Sequence, residues 1–265
     1  MSAAALLLPI AVFAGGEIMT AMSSSAAGQW ISLFNGRNLD GWTVKIRTLP
    51  LGEDDRGTFR VKDGLLKVSY DRYDTFDSRY GHLFYHRPYS HYRLRAQYRF
   101  VGEQIAGGRD WAYRNSGVMI HSQSPHSMGI DQYFPVSIEV QLLGDDGTGQ
   151  RPTANLCTPG THVVMAGRLH TEHCVNAAAP AAHHDQWVTV EIEVRGGQRI
   201  RHFVNGALVL EYQHPQLDPE DEDAGPLIGQ GNLSIAGGYI AIQSESAPVE
   251  FRRIDLLPLS LEHHD

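Results

Sequence analysis

Basic residues are scarce in this 265-residue chain, where 22 Lys and Arg stand against 30 Asp and Glu for a formal net charge of −8. Nucleic-acid binding draws on clustered cations that neutralise phosphates, and the few here are scattered, which excludes that partner class. Helical periodicity is missing too: no long stretch repeats apolar side chains at the spacing of an amphipathic helix. Bilayer-spanning runs are also lacking. The apolar segment from Ala3 to Gly16 is too short to cross a membrane, so no transmembrane segment is expected. Its length suits the hydrophobic region of a secretory signal, and small residues follow around Ala21 to Ala27, although no Lys or Arg precedes it and the first basic residue is Arg37. The expected organisation is a leader over 1–27 and a single domain over 28–260, in a protein exported to the periplasm or beyond the cell. The tail Leu261-Glu262-His263-His264 is left out of the functional reading.

Cysteine is limited to Cys157 and Cys174, both within a Gly-, Pro- and His-rich insertion over about 144–184. A disulfide closing that loop suits an exported protein and stabilises by about 3 kcal/mol in the chain-entropy model. Two other readings stand beside it: a pair of free thiols, and a zinc site completed by His162, His170 or His173, whose spacing matches no structural zinc pattern. In the same insertion Asp145 and Asp146 offer either a plain Asp-Gly turn or oxygen ligands for Ca²⁺ or a similar divalent cation. Loops of this length in compact domains are usually functional or disordered.

What remains is abundant β pattern. Apolar residues make up 42% of the chain and charged ones 20%, enough for a packed core. Short alternating runs are separated by tight turns. They include Phe59-Arg60-Val61 and Leu65 to Ser69 around Asp63-Gly64, Tyr92 to Phe100, Asn115 to His121, Trp187 to Val194, Ile200 to Val204 and Leu208 to Tyr212 around Asn205-Gly206, Gly238 to Glu245, and Val249 to Leu257. The basic face of Tyr92 to Phe100, formed by Arg93, Arg95 and Arg99, reads as solvated. The pattern predicts an all-β fold of two packed sheets, one of them bent into a concave face.

The strand at the centre of the functional reading is Ser137 to Gly144. Ile138, Val140 and Leu142 alternate with Ser137, Glu139 and Gln141, placing a carboxylate and an amide together on a polar face. That face lines a cleft or is plain outer surface. On Asn115 to His121, Val118 and Ile120 share one side while Asn115, Gly117, Met119 and His121 share the other, and the glycine signals close approach of another group. Gln243 and Glu245 occupy the polar face of a third strand. Trp111 and Tyr113 precede the Asn-Ser-Gly strand and have the character of sugar-stacking rings or core residues. His82, His86 and His91 form a further cluster, read as loop histidines.

Several segments taken together resemble one family: Leu33-Phe34-Asn35-Gly36-Arg37-Asn38-Leu39-Asp40-Gly41-Trp42, Asn115-Ser116-Gly117-Val118, Glu139-Val140-Gln141-Leu142-Leu143, Phe203-Val204-Asn205-Gly206 and Gly238 to Glu245 with Val249 to Ile254. In this order they resemble the 3-keto-disaccharide hydrolase domain family from about Trp30 to Leu259. The resemblance implies a concanavalin-like jelly-roll sandwich of two antiparallel sheets that acts on an oligosaccharide or glycoside whose 3-hydroxyl has become a ketone. The chain departs from many members at His121, where Arg is common, and in its cysteine-containing insertion.

A ketone at C3 acidifies the C2 proton, so a base abstracts it, the C1 substituent leaves, and water adds to the enone. Such a site needs a base, a group to stabilise the enolate oxygen, and an acid for the leaving group. Glu139 and His121 are the candidate catalytic residues. Asn115, Gln141, Gln243, Glu245, Trp111 and Tyr113 are the candidate substrate-binding ones. A laminarinase-like glycosidase on the same fold would need two carboxylates flanking the bond, and Gln141 stands where its Glu-x-Asp-x-x-Glu pattern requires Asp. A glycan-binding module without catalysis is the other alternative.

Overall fold

A computed structural model of the chain describes residues 28–148, 151–183 and 185–260. The leader over 1–27 and the tail over 261–265 lie outside the described residues. Among the described residues the strands form two antiparallel sheets, and helix is limited to three single turns, Asp110–Ala112, Pro125–Ser127 and Gly225–Leu227. No described helix is long and apolar enough to cross a membrane. The expected all-β sandwich is the observed architecture.

The smaller sheet runs in space as Cys174–Val175, Asn155–Cys157, Ile138–Leu143, Asn115–Ser122, Tyr239–Ser244, Gly81–Tyr85 and Trp42–Ile46. The larger is built around Val188–Arg195, His91–Phe100 and Val249–Pro258. Alternation explains how they pack: Leu94, Ala96, Val190, Ile192, Ile254 and Leu256 from the larger sheet meet Val118, Ile120, Val140, Leu142, Ile240 and Ile242 from the smaller in one buried cluster. Each Val, Leu and Ile among them contributes roughly 1.5–3 kcal/mol through burial. His202 is also interior, with its ring nitrogens 2.8 Å from the Ala154 carbonyl and 2.8 Å from the Tyr212 hydroxyl, and burial holds its imidazole down to about 4.

The basic face expected to be solvated is instead laced with ion pairs. Arg93 and Arg95 converge on Glu191, and Lys67 and Arg99 on Glu250 at 2.7 Å each. Arg99 and Arg252 also lie over the Trp187 ring, at 4.6 and 4.5 Å from its centroid. This lattice leaves the face half-buried.

Two strands and one insertion differ from the sequence expectation. Gly81–Tyr85 is buried on both faces, so it shows no alternation to detect. Trp42–Ile46 hides Lys45, whose ammonium donates to the carbonyls of Ile46, Leu49 and Ile130 and is thereby satisfied inside. The insertion contains the short strands Asn155–Cys157, Thr161–Met165, Arg168–His170 and Cys174–Val175, which extend the sheets at their edges. Runs this brief carry too little periodicity to be read.

Cys157 and Cys174 are joined in a disulfide between directly paired residues of adjacent strands, so neither thiolate is free for zinc. The bond ties the edge strand Cys174–Val175 into the sheet. For a sequence separation of 17, the double variant Cys157→Ser/Cys174→Ser is expected to lose about 3 kcal/mol in urea denaturation. An unchanged midpoint would mean that strand pairing alone holds this edge.

Candidate active site

The pairing of Ile138–Leu143 with Asn115–Ser122 sets the site. Val118 pairs with Val140 and Ile120 with Ile138 on the core side, which turns Glu139, opposite Met119, and Gln141, opposite Gly117, to the other face. On the next strand Cys157 stands opposite Glu139 and Asn155 opposite Gln141. Across the Asn115 strand, Tyr239–Ser244 supplies Gln243, and Glu245 follows immediately after it.

This face is itself covered. At one end Phe84, Met119 and Ala241 form a small apolar cluster under Met128, Phe134 and Tyr239. The covering loop is fixed by Gln123, whose side-chain oxygen accepts from the Val136 N–H at 2.7 Å and from the Gln132 amide at 2.8 Å. At the other end lies a cavity of about 370 Å³, lined by Trp111, Asn115, Glu139, Gln141 and Glu245 among others. Five residues, from two strands, the position just after a third and one helical turn, thus meet at one place.

Gly117 explains how Glu139 fits. A Cβ at position 117 would stand 2.5 Å from Glu139 Oε1 and 2.9 Å from its Cγ, so the carboxyl lies along bare backbone. The close approach that the glycine signalled is that of a neighbouring side chain. Glu139 and Glu245 are both almost wholly buried. Glu139 Oε1, Glu245 Oε2, Asn115 Oδ1 and both amide atoms of Gln243 have no hydrogen-bond partner among the described residues. Leaving a buried polar group unpaired costs about 1–3 kcal/mol, so a cluster of them marks a surface shaped for something other than the protein.

Burial raises the Glu139 carboxyl to about 8, opposed by the facing Gln243 carboxamide, which favours its ionised form. Glu245 is pushed well above the ordinary carboxyl range, by burial first and by the charge of Glu139 second. Titration of the two is linked, so the protons leave in two steps that belong to the pair, and between the steps one carboxyl is charged and the other is not. The pair therefore offers one base and one retained acid.

The remaining candidates divide. Gln141 is braced rather than free, its side-chain oxygen accepting from Asn155 Nδ2 at 3.0 Å while Asn155 takes the Ala177 N–H. Trp111 stands at the cavity edge, 54% exposed. Tyr113 faces an adjoining depression with Trp111 and Arg151 instead, with the Arg114 guanidinium over its ring at 5.0 Å.

His121 is not brought to the group. The pairing register between Asn115–Ser122 and Tyr239–Ser244 shifts at this point and His121 adopts φ +50°, the geometry of a bulge, which breaks the alternation that had placed it beside Met119. Its Nε2 lies 3.0 Å from the Gly196 carbonyl in a turn of the other sheet, and burial holds its imidazole down to about 4. Among the other histidines, His82 pairs with Gln243 across the sheet, buried with Nε2 unpartnered, while His86 and His91 stay at the surface.

Phe134 and His173 line the cavity without having been singled out for it. Phe134 comes from the covering loop, and His173 reaches the wall because the disulfide fixes its neighbour Cys174 there. Neither position lies in a periodic segment. Desolvation lowers the His173 imidazole below its ordinary range. The Asp145 and Asp146 carboxylates accept backbone N–H groups of their own loop, and Asp145 also meets His183 at 2.8 Å, so the turn accounts for them. Among the described residues no three His, Cys, Asp or Glu side chains gather to hold a metal ion.

Comparison with known proteins shows the family and the fold. The family described as the 3-keto-alpha-glucoside-1,2-lyase-like domain matches residues 29–257. No curated protein matches the chain. Two structures from Parabacteroides distasonis ATCC 8503, each described as a candidate glycosyl hydrolase, are similar: one at 20% identity and TM-score 0.50, covering 87% of this chain and 94% of that one, the other at 18% and 0.51, covering 87% and 100%. The exoplasmic/lumenal domain of VIP36, solved with Ca²⁺ and Man3GlcNAc, aligns at 10% identity and TM-score 0.51 over 88% of this chain and 90% of that one. These likenesses show the fold alone, a sandwich of two antiparallel sheets.

The raised carboxyl has a consequence for stability. An unfolded Glu139 ionises near 4.5 and the native one near 8, so between these values the unfolded chain binds fewer protons and stability falls as pH rises. Glu139→Gln is expected to flatten this part of the melting temperature–pH curve and to be the more stable protein at pH 8. Parallel curves for the two proteins would show that Glu139 ionises normally.

Proposed function

This chain belongs to the 3-keto-alpha-glucoside-1,2-lyase-like domain family, and from that premise we propose that it cleaves 3-keto-glycosides by elimination across C1 and C2, followed by hydration. The observation that carries the reading is the buried Glu139–Glu245 pair beside unpartnered amides. Ionised Glu139 takes the C2 proton, and the electron pair of that C–H bond moves toward C3 as the enolate forms. Protonated Glu245 donates a hydrogen bond to the C3 oxygen, where the charge develops, and the amide N–H groups of Asn115 and Gln243 donate beside it. The enolate then expels the C1 alkoxide, leaving a C1–C2 double bond conjugated to the ketone. Water adds at C1 and gives up a proton that ends on the departed alkoxide, which leaves as the free alcohol, while the proton held by Glu139 returns to C2, completing a net hydrolysis.

Two carboxyls of different proton affinity suit this division of labour, since one must be charged while the other is not. Trp111 offers a ring face to the sugar at the cavity edge. Export agrees with the disulfide and with the apolar segment near the start of the chain. The second buried carboxyl also favours one other reading, direct acid–base hydrolysis of an unoxidised glycoside, because Glu245 supplies from a different strand the partner absent from the sequence around Glu139.

Paired substrates separate the two. A 3-keto-disaccharide and its unoxidised parent are incubated with the protein, with and without chelator, and release of the second sugar is followed. Cleavage of the keto compound alone is expected, and cleavage of the parent would favour direct hydrolysis. Glu139→Gln is expected to lower kcat by about 10²–10⁴-fold, as loss of a general base does. Glu245→Gln keeps a donor and loses less than Glu245→Ala. Below pH 8 the wild-type kcat/KM should rise with pH as Glu139 ionises, and a flat profile would remove Glu139 from the role of base. Gly117→Ala should retain the fold but lose about 10²-fold in rate, because its methyl group displaces the Glu139 carboxyl. Full activity in that variant would mean that the position of Glu139 is immaterial.

A further inference from the structure

The cavity beside Glu139 is not the end of the cleft. Phe134, Pro159 and His173 form a wall that it shares with a second cavity of about 550 Å³. Each has the size of a small-ligand site. The lining of the second also includes Tyr133, Asp131, Asp221 and Asp223.

Tyr133 is 46% exposed, yet it is not loose. The Arg47 guanidinium lies 4.2 Å from its ring centroid, and Arg47 is in turn held by the Asp131 carbonyl at 2.9 Å and lies 3.7 Å from its carboxylate. The Tyr80 ring packs against it at 5.3 Å. A ring anchored in this way presents a fixed aromatic surface at the far end, as Trp111 does at the near end. Asp221 accepts the N–H groups of Asp223 and Ala224 at 2.9 Å, which orders the loop that brings Asp221 and Asp223 into the cavity lining. The Asp223 carboxyl is raised by burial and by the negative charge of Asp221 and Glu222. No Lys or Arg lines either cavity.

Resting on the elimination reading, we propose that the second cavity is the leaving-group subsite, and that it takes a neutral sugar ring. The ring stacks on Tyr133 and its hydroxyls donate to Asp221 and Asp223. The C1–O bond to be broken then lies at the shared wall, beside His173. A leaving unit bearing a carboxylate, sulfate or phosphate meets the carboxylates of Asp131, Asp221 and Asp223, while the Arg47 guanidinium against the Tyr133 ring is already engaged by Asp131, and such a unit is rejected. Specificity for the second sugar arises here, apart from the carboxyl pair that performs the chemistry.

The test compares three substrates: methyl 3-keto-glucoside, a 3-keto-disaccharide with a neutral second sugar, and one whose second sugar is a uronic acid. Wild-type protein should favour the neutral disaccharide over the uronate. Tyr133→Ala should lower kcat/KM for the neutral disaccharide about tenfold while leaving the methyl glycoside within about twofold, and Tyr133→Phe should restore it. Asp221→Asn/Asp223→Asn should narrow the gap between neutral and uronate substrates. Equal losses on methyl glycoside and disaccharide, or no preference against the uronate, would overturn the proposal. If no keto-glycoside is cleaved at all, the elimination reading fails by itself. Calorimetry with the unoxidised disaccharide and its monosaccharide then decides the subsite: tighter disaccharide binding that vanishes in Tyr133→Ala supports it, and equal affinities reject it.

Discussion

The burial of the Glu139 carboxyl against the bare backbone of Gly117 is the constraint on which the site depends. A side chain on the neighbouring strand would force the carboxylate outward into water, where it would ionise like any surface glutamate. Without one, the carboxyl lies flat on the sheet, desolvated and next to Glu245, and its proton affinity rises into the range useful for acid–base work. The polar cluster lowers stability. The apolar core between the sheets offsets it, and so does the ion-pair lattice on the opposite outer face.

The second requirement is a cover. An antiparallel sheet commonly leaves one face wet, and a carboxyl on such a face keeps its ordinary affinity for protons. Here the loop that carries Phe134 and the disulfide-tied edge that carries His173 close over the smaller sheet, so both of its faces are buried. The loop is stitched down by Gln123 and Gln132 rather than by regular structure. The cleft thus has a rigid floor of strands and walls of loops, which is where binding specificity in sandwiches usually resides.

Much of this was readable from the chain. Strict alternation located the strands from Tyr92 to Phe100, from Asn115, from Ser137 and from Gly238. Once the strands are paired, alternation also dictates that Asn115, Glu139, Gln141 and Gln243 share a face. It failed at His121, where a bulge rotates the backbone and a period of two no longer holds. It was silent for Gly81–Tyr85, which is buried on both sides, and for Lys45, whose ammonium is satisfied by carbonyls distant in sequence. It did not reach Phe134 or His173, since loop residues arrive at a site through anchoring contacts that leave no periodic trace.

The sequence by itself determined an all-β sandwich, because alternation with tight turns has few other ways to bury its apolar face. It also determined the family resemblance and the strand that carries Glu139. Only the tertiary structure decided that Glu245 stands beside Glu139, that both are desolvated, and that the cleft continues past His173 toward Tyr133. The physical reason is that proton affinity and cavity shape depend on which strands are neighbours and on what covers them. Those are long-range relations, and the local pattern of a strand reports burial without naming its partner.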